Sequence, residues 1–542
     1  MNPLKLLPAL VFSSFLAWIL CACGAAKTQS PTPTLAPIPT PTVVPTRVEP
    51  TPTTALPTLT PAPTDIHDIY QQVFETVWGT VNATFFDPDF GGLDWAAVHD
   101  RYEPLILAAD DDETFYQLLN QMLWELKVSH TAVGPAEAWP AVEPVIFEPG
   151  EIGIDLRLLK EGATGNEQAV ITRLDAGSPA EQAGLRLGYI LQSIEEVPVE
   201  QIIADAEERL APPYNDQGRI NILTNRLLSL IYGDPGTCVT LAYLDEKDEI
   251  HEGCVERLRR PREAYMAGIP LPPFHLEFES KRLESGAGYI RFNTFHPDLV
   301  PEMVQAVAAL QDSPGIIIDL RGNPGGDPSV AEQLAAQFLE GQVLFGKFKA
   351  RAGSMDRMVI GKNVYTGPLV ILVDATSFSA SEHFSSGMQA SGRAVIIGER
   401  TPGGASAMNV TVLSNGDILG YAVAELLAPD GTVLEGYGVI PDIHIALERS
   451  QLLQGIDAQL QAAIATITAC VQVGVIDRTI CINGATTKFR LLPNGPKPGK
   501  YYSNDCGIYF GEATGPAGGF TMCGPGESFG TANTSWWMCS QW

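Results

Sequence analysis

Basic residues are scarce in this sequence. Lys and Arg number 34 against 63 Asp and Glu, for a formal net charge of −29. That balance carries no footprint for nucleic acid and no basic patch for a membrane surface, and an acidic exterior of this kind serves solubility. A long hydrophobic run is also missing. The longest candidate, residues 6–20, is shorter than the roughly 20 apolar residues a membrane-spanning helix needs. Cys470, Cys481, Cys506, Cys523 and Cys539 show no C-x-x-C spacing, which excludes the usual zinc arrangement there and leaves disulfides as the reading.

What is present is length and internal contrast. At 542 residues with 45% hydrophobic content the chain is too long for one core, so several domains are expected. Residues 1–23 read as an export signal, with Lys5 ahead of the apolar run. The signal ends in Leu20-Cys21-Ala22-Cys23, which resembles the lipobox of bacterial lipoproteins, although Cys21 is an unusual occupant of its position. The resemblance implies lipid on Cys23 and a membrane-attached, extracytoplasmic protein. Residues 24–64 are dominated by proline and threonine, cannot bury a core, and read as an extended stalk. Residues 461–542 form a Cys-rich C-terminal extension with no recognisable family.

Two stretches carry chemistry. Residues 369–389 read LVILVDATSFSASEHFSSGMQ: a buried strand over Leu369–Val373, a polar turn, then a helix predicted over residues 379–388. A serine at such a strand-to-helix turn is exposed, with backbone N–H groups converging beside it. That is the geometry for attack on a carbonyl and for holding the oxyanion, although serine also serves as a plain helix cap. Residues 315–326 read GIIIDLRGNPGG, a second strand ending in a glycine-rich turn whose N–H groups can approach a ligand closely.

Together these segments resemble the tail-specific (C-terminal processing) serine proteases, which carry a DLRxNPGG-like turn and an SxSASE-like serine segment. The resemblance implies a multidomain α/β protein: a helical domain over 65–140, a PDZ-like β domain over 147–260, a ClpP/crotonase-like α/β core over 265–460. It makes Ser379 the nucleophile and the N–H groups of Gly326 and Ala380 the oxyanion donors. No metal or organic cofactor is implied; the partners are peptide or protein substrates.

The N-terminal domain has apolar residues at helical spacing over 69–81 and 114–126, and closes on Ser129-His130. Residues 178–185, SPAEQAGL, resemble a PDZ domain, and Ile152, Gly153 and Ile154 sit where that family captures a peptide C-terminus through backbone N–H groups. Tyr189 replaces the aspartate usual in that family. Cys238 and Cys254 flank a probable hairpin with a turn at 245–248, close enough in register for a disulfide.

Many tail-specific proteases use a Ser-Lys dyad, but Gly404 stands where the lysine is expected. Relatives of the tricorn protease core instead carry a Ser-His pair and a late glutamate, matched here by Ser129, His130 and Glu435. His130 is then the base, linked to Glu435 directly or through Ser129. His383, one helical turn beyond Ser379, is the weaker candidate base. The other reading is a peptide- or ligand-binding lipoprotein that keeps the fold without the catalysis, as the retinoid-binding protein of the eye's interphotoreceptor matrix does.

Overall fold

The computed structural model describes residues 65–135, 150–160, 165–209, 215–259, 262–264 and 274–473, with short strand segments between 479 and 511. The export signal, Cys23 and the Pro/Thr stretch lie outside the described residues. So do Cys506, Cys523 and Cys539 of the tail.

Three helices open the folded part, each started by an aspartate whose carboxylate accepts an N–H of the first turn. They are α1 (Ile66–Thr84), α2 (Trp95–Ile106) and α3 (Asp112–Trp124), capped by Asp65, Asp94 and Asp111. The sequence reading missed α2, whose apolar spacing is weak and which contains Pro104. Tyr70, Phe74, Val77, Phe115, Leu119 and Leu123 form the shared core. Leu413, Leu419 and Ala422 complete it, although they belong to a strand and its preceding turn nearly 300 positions further on.

The link is β1 (Ala132–Gly134), the strand directly after Ser129-His130. It pairs antiparallel with a strand of the later sheet, Ala132 opposite Gly420 and Gly134 opposite Ile418. Asn120 of α3 clamps it from the other side. Its side chain gives a hydrogen bond to the Val133 carbonyl (2.8 Å) and takes one from the Val133 N–H (2.9 Å). This strand carries His130 from the helical domain to the core.

The β-rich segment follows. β2 (Ile154–Lys160), β3 (Glu167–Leu174), β4 (Ile190–Ile194), β5 (Cys238–Leu244) and β6 (Ile250–Glu256) lie side by side in that order. The helices α4 (Val199–Arg209) and α5 (Asp216–Ile231) run between β4 and β5 in sequence. Cys238 and Cys254 are joined in a disulfide with Cα atoms 5.7 Å apart. They are diagonal neighbours, since Cys238 lies opposite Glu256 and Cys254 opposite Thr240.

One buried ion pair ties this segment to the core. The Arg157 Nε–H of β2 donates to Asp374 Oδ2 at 2.7 Å, with the two side chains 6% and 2% exposed. Burial alone would push Asp374 up. The Arg157 charge and the hydrogen bonds from Thr376 instead hold it below the usual carboxylate range. Removing one member strands the other's charge in a dry site. Arg157→Ala is therefore expected to destabilise the folded chain by about 3–5 kcal/mol, read as a fall in the denaturant midpoint; a loss under about 1 kcal/mol would mean that water reaches Asp374.

The core is a mixed sheet ordered β7 (Phe278–Arg282), β8 (Gly288–Phe292), β9 (Ile316–Asp319), β12, β13 and β16. Helices α6 (Val300–Ala309) and α7 (Pro328–Ala335) flank β9 in sequence, and then come the long hairpin strands β10 (Gly341–Ala350) and β11 (Gly353–Gly361). The remaining elements are β12 (Leu369–Val373), α8 (Ala380–Ala390), β13 (Val395–Gly398), β14 (Ser406–Val412), β15 (Ile418–Leu427), β16 (Ile443–His444) and α9 (Ala458–Val473). Pairing from β8 to β16 is parallel and β7 is antiparallel. All five residues of β12 and all four of β9 are buried, as parallel strands covered on both faces require. β14, β15, β10 and β11 build a second, antiparallel sheet, and β1 joins it. The sequence reading did not foresee that sheet.

Candidate active site

The carboxyl ends of β9 and β12 lie side by side, and each runs into a turn. After β9, Asn323 is fully buried and binds in four directions. Its carbonyl accepts the Phe378 N–H (3.0 Å) and the Ser381 hydroxyl (3.0 Å). Its side-chain oxygen accepts the Gly325 N–H (2.8 Å), and its Nδ2–H donates to the Phe292 carbonyl (2.9 Å). One asparagine thus fastens the glycine turn to the serine turn. At Gly326 (φ 125°) a Cβ would press on the Phe295 carbonyl and Thr294, so only glycine lets the chain pass there.

The serine turn holds three serines with different lives. Ser377 is buried, its hydroxyl donating to the Leu320 carbonyl at 2.8 Å. Ser381 is buried and spent on Asn323. Ser379 is half-buried, and its oxygen closes a capping box with the Glu382 N–H, while among the described residues its hydroxyl donates no hydrogen bond. It sits just ahead of α8 at φ 53° and ψ −115°, a conformation disfavoured for a side-chain-bearing residue and one that the surroundings must impose. The helix therefore starts at Ala380, one residue later than the sequence suggested. The Gly326 N–H has no backbone acceptor among the described residues. Ala380 is the first residue of α8, where an N–H has no acceptor within the helix. Both expected oxyanion donors are thus available.

Glu382 imposes the Ser379 conformation. This buried carboxylate accepts the Ser379 N–H (3.1 Å), the Thr401 hydroxyl (2.6 Å) and the N–H groups of Gly403 (2.7 Å) and Gly404 (2.9 Å). Four donors saturate its lone pairs, and burial pushes it up to about 7. A proton gained there has no acceptor and must displace a donor. Turnover at this site is accordingly expected to fall on acidification with a midpoint near 7, and Glu382→Gln to lower the rate while removing that step. A step near 7 that survives in Glu382→Gln would assign it to another group.

His130, the expected base, arrives from the other side. His130 has φ 58° and its Nδ1 lies 2.8 Å from Ser129 Oγ. The Ser129 hydroxyl donates to Glu435 Oε2 (3.0 Å), and the Ser129 N–H donates to Oε1 (2.6 Å). Ser129 has one hydroxyl proton, so donation to Glu435 makes Nδ1 the donor toward Ser129 and leaves Nε2 as a bare acceptor. Glu435 touches the relay only through Ser129. The Ala405 N–H and the Ser406 hydroxyl, both at 2.9 Å, also hold it. Burial raises Glu435 and pushes His130 down to about 4, so the imidazole is neutral at physiological pH. The His130 ring stacks on Phe378, the residue before Ser379, with centroids 4.9 Å apart and planes at 18°.

His383 has a different task. Its Nε2 lies 3.3 Å from Glu332 Oε1, and the Glu332 carboxylate also takes two bonds from Arg357. The imidazole packs edge-on against Phe345 and Phe348 in the core.

Ile152, Gly153 and Ile154, the segment expected to capture a peptide carboxylate, are all buried. The Ile152 carbonyl accepts the Ala180 N–H and the Gly153 carbonyl accepts the Asp175 N–H. A Cβ on Gly153 would collide with Ser178, so this loop is packed tightly on the next turn. A cavity of about 820 Å³ runs from His130, Phe378 and Gly404 to residues of α4 and α5, among them Gln201 and Asn221.

A strained serine turn, a glycine turn beside it and a carboxylate–serine–histidine chain of hydrogen bonds are an arrangement suited to acyl transfer. Residues 286–445 match the profile of Peptidase family S41, and residues 66–124 match that of the Tricorn protease C1 domain. Carboxyl-terminal-processing peptidase 3, chloroplastic, of Arabidopsis thaliana is 26% identical over 383 residues, which cover 69% of this chain and 68% of that protein. The carboxyl-terminal-processing protease of Synechocystis sp. is 25% identical over 412 residues, 74% of this chain and 88% of its own length. In fold, the chain is similar to mature CPAF complexed with lactacystin. That structure is 12% identical, with a TM-score of 0.52 over 75% of this chain and all of the other. The protein is a serine-type peptidase, similar over residues 286–445 to Peptidase family S41 and over residues 66–124 to the Tricorn protease C1 domain.

Proposed function

We propose that this chain is an extracytoplasmic, lipid-anchored endopeptidase that cleaves peptides or proteins through an acyl-enzyme on Ser379. The observation that carries the reading is the Glu435–Ser129–His130 chain of hydrogen bonds beside a strained serine. His130 Nε2 takes the Ser379 proton as Oγ attacks the scissile carbonyl. The Gly326 and Ala380 N–H groups hold the oxyanion, and Glu435 stabilises the imidazolium through Ser129. His130 then returns the proton to the leaving amine, and water hydrolyses the ester by the same route. Among the described residues no hydrogen bond joins Ser379 to His130, and that bond forms on substrate binding.

Labelling with a fluorophosphonate, followed by mapping of the modified residue, tests the reading. Modification of Ser379 together with peptide hydrolysis supports it. Absence of both would favour the binding-protein alternative on the same fold. The PDZ-like segment contributes to substrate choice through the α4 and α5 wall of the cavity. Asn215, which caps α5, donates to the carbonyls of Pro402 (2.8 Å) and Gly436 (2.7 Å), so that wall is tied to the loops beside Glu382 and Glu435.

Anchoring rests on Leu20–Cys23 and the Pro/Thr stretch after it. Cys23→Ala is expected to release the protein into the medium or leave it unprocessed. A mutant that partitions into detergent like the wild type would end the lipoprotein reading.

A further inference from the structure

We propose that Phe378 is a positioning residue for the base: its ring, seated in the space that Gly404 leaves open, holds the His130 imidazole in plane and shields it from water. The proposal rests on His130 acting as the base.

His130 lies in no helix or strand, and its backbone is in the left-handed region. Among the described residues its ring has two directional contacts. Ser129 holds the Nδ1 end, which sets one point of the imidazole but leaves it free to swing about that point. The face of Phe378 supplies the plane. Phe378 is itself fixed at both backbone ends, its N–H on Asn323 and its carbonyl accepting the Ser381 N–H, both at 3.0 Å. The orientation of the imidazole is thus referred to the same turn that orients the nucleophile.

Gly404 shows that the ring position is built in. Its backbone does not lie in the left-handed region, so nothing in its conformation calls for glycine. A Cβ there, however, would overlap the Phe378 ring. The Gly404 N–H is held by Glu382, so the backbone does not retreat to make room. The absent side chain and the aromatic ring are two halves of one fit.

The electrostatics agree. Burial alone, with no ionic partner, pushes His130 down to about 4. The charged groups facing the same cavity are Lys127 and Glu435 on the side of the relay, Asp112 and Glu113 at the head of α3, and Glu195, Asp205 and Arg226 across it. Phe378 is the aromatic face against the imidazole, so its removal admits water there and lets the charged form return toward its ordinary value.

The test is a titration that does not need activity. The full chain is produced with ring-labelled histidine, and the His130 signal is assigned by its loss in His130→Ala. In the wild type its midpoint is expected near 4, and in Phe378→Ala about one unit or more higher, toward 6.5. With peptide substrate, Phe378→Ala is expected to lower kcat about tenfold or more while KM changes by less than about threefold. A His130 midpoint unmoved in Phe378→Ala would overturn the proposal. Should that variant not fold, Phe378→Leu, apolar but without a flat face, is read in the same way. Hydrolysis that persists in His130→Ala would instead sink the base assignment, which the titration does not measure.

Discussion

Ser379→Ala is expected to lose peptide hydrolysis by about three orders of magnitude or more and to lose fluorophosphonate labelling altogether. The size follows from the division of labour. The oxyanion donors and the cavity survive the substitution and still bind substrate, but nothing forms the acyl-enzyme. His130→Ala is expected to cost nearly as much, because a hydroxyl without a base is a poor nucleophile at neutral pH. Glu435→Gln is expected to cost less. An amide oxygen can still accept from Ser129, and what is lost is the charge that stabilises the imidazolium. The neighbouring serines are the controls. Ser377 and Ser381 hydroxyls are already bonded to the Leu320 carbonyl and to Asn323. Removal of Ser377 leaves the buried Asp374 N–H without its acceptor and should lower stability by about 1–3 kcal/mol, whereas removal of Ser381 should cost only about 1 kcal/mol because the Asn323 carbonyl keeps the Phe378 N–H, with catalysis retained at lower temperature in both. Labelling of Ser379→Ala at either position would show that the wrong serine was chosen.

Gly404→Lys, which restores the residue that a Ser-Lys dyad would place there, is expected to destroy activity by about a hundredfold or more rather than create a second base. The first atom of the new side chain already overlaps the Phe378 ring. Either that ring moves, and the His130 imidazole stacked on it moves too, or the 401–404 loop moves and Glu382 loses donors that hold Ser379. Even Gly404→Ala should show most of the loss, because the conflict begins at Cβ. A lysine variant with full activity, and with hydrolysis that survives His130→Ala, would mean that the dyad had been rebuilt and that the aromatic ring was incidental.

Much of this site is legible in the sequence because its parts are local. A buried strand, a polar turn with serine and a following helix are encoded within residues 369–389, and the glycine turn within residues 315–326. Side-chain types at short range determine those conformations. The same locality accounts for the pairing of Cys238 with Cys254. The roles of Asn323, Glu382 and Phe378 were not legible. An asparagine in a turn, a glutamate in the first turn of a helix and a phenylalanine beside a serine are each common, and nothing in their spacing separates a hub from a filler.

By itself the sequence determined the local geometry of the serine turn, the glycine turn beside it and the lack of a lysine at position 404. Tertiary structure decided which groups from the rest of the chain meet near that turn. Ser129 and Glu435 lie 306 positions apart and meet because β1 pairs with β15 and Asn120 clamps that strand. It also decided that a cavity opens between the serine turn and the helices α4 and α5. Contacts of that range depend on how whole faces bury one another, and a face does not write its partner into its own residues.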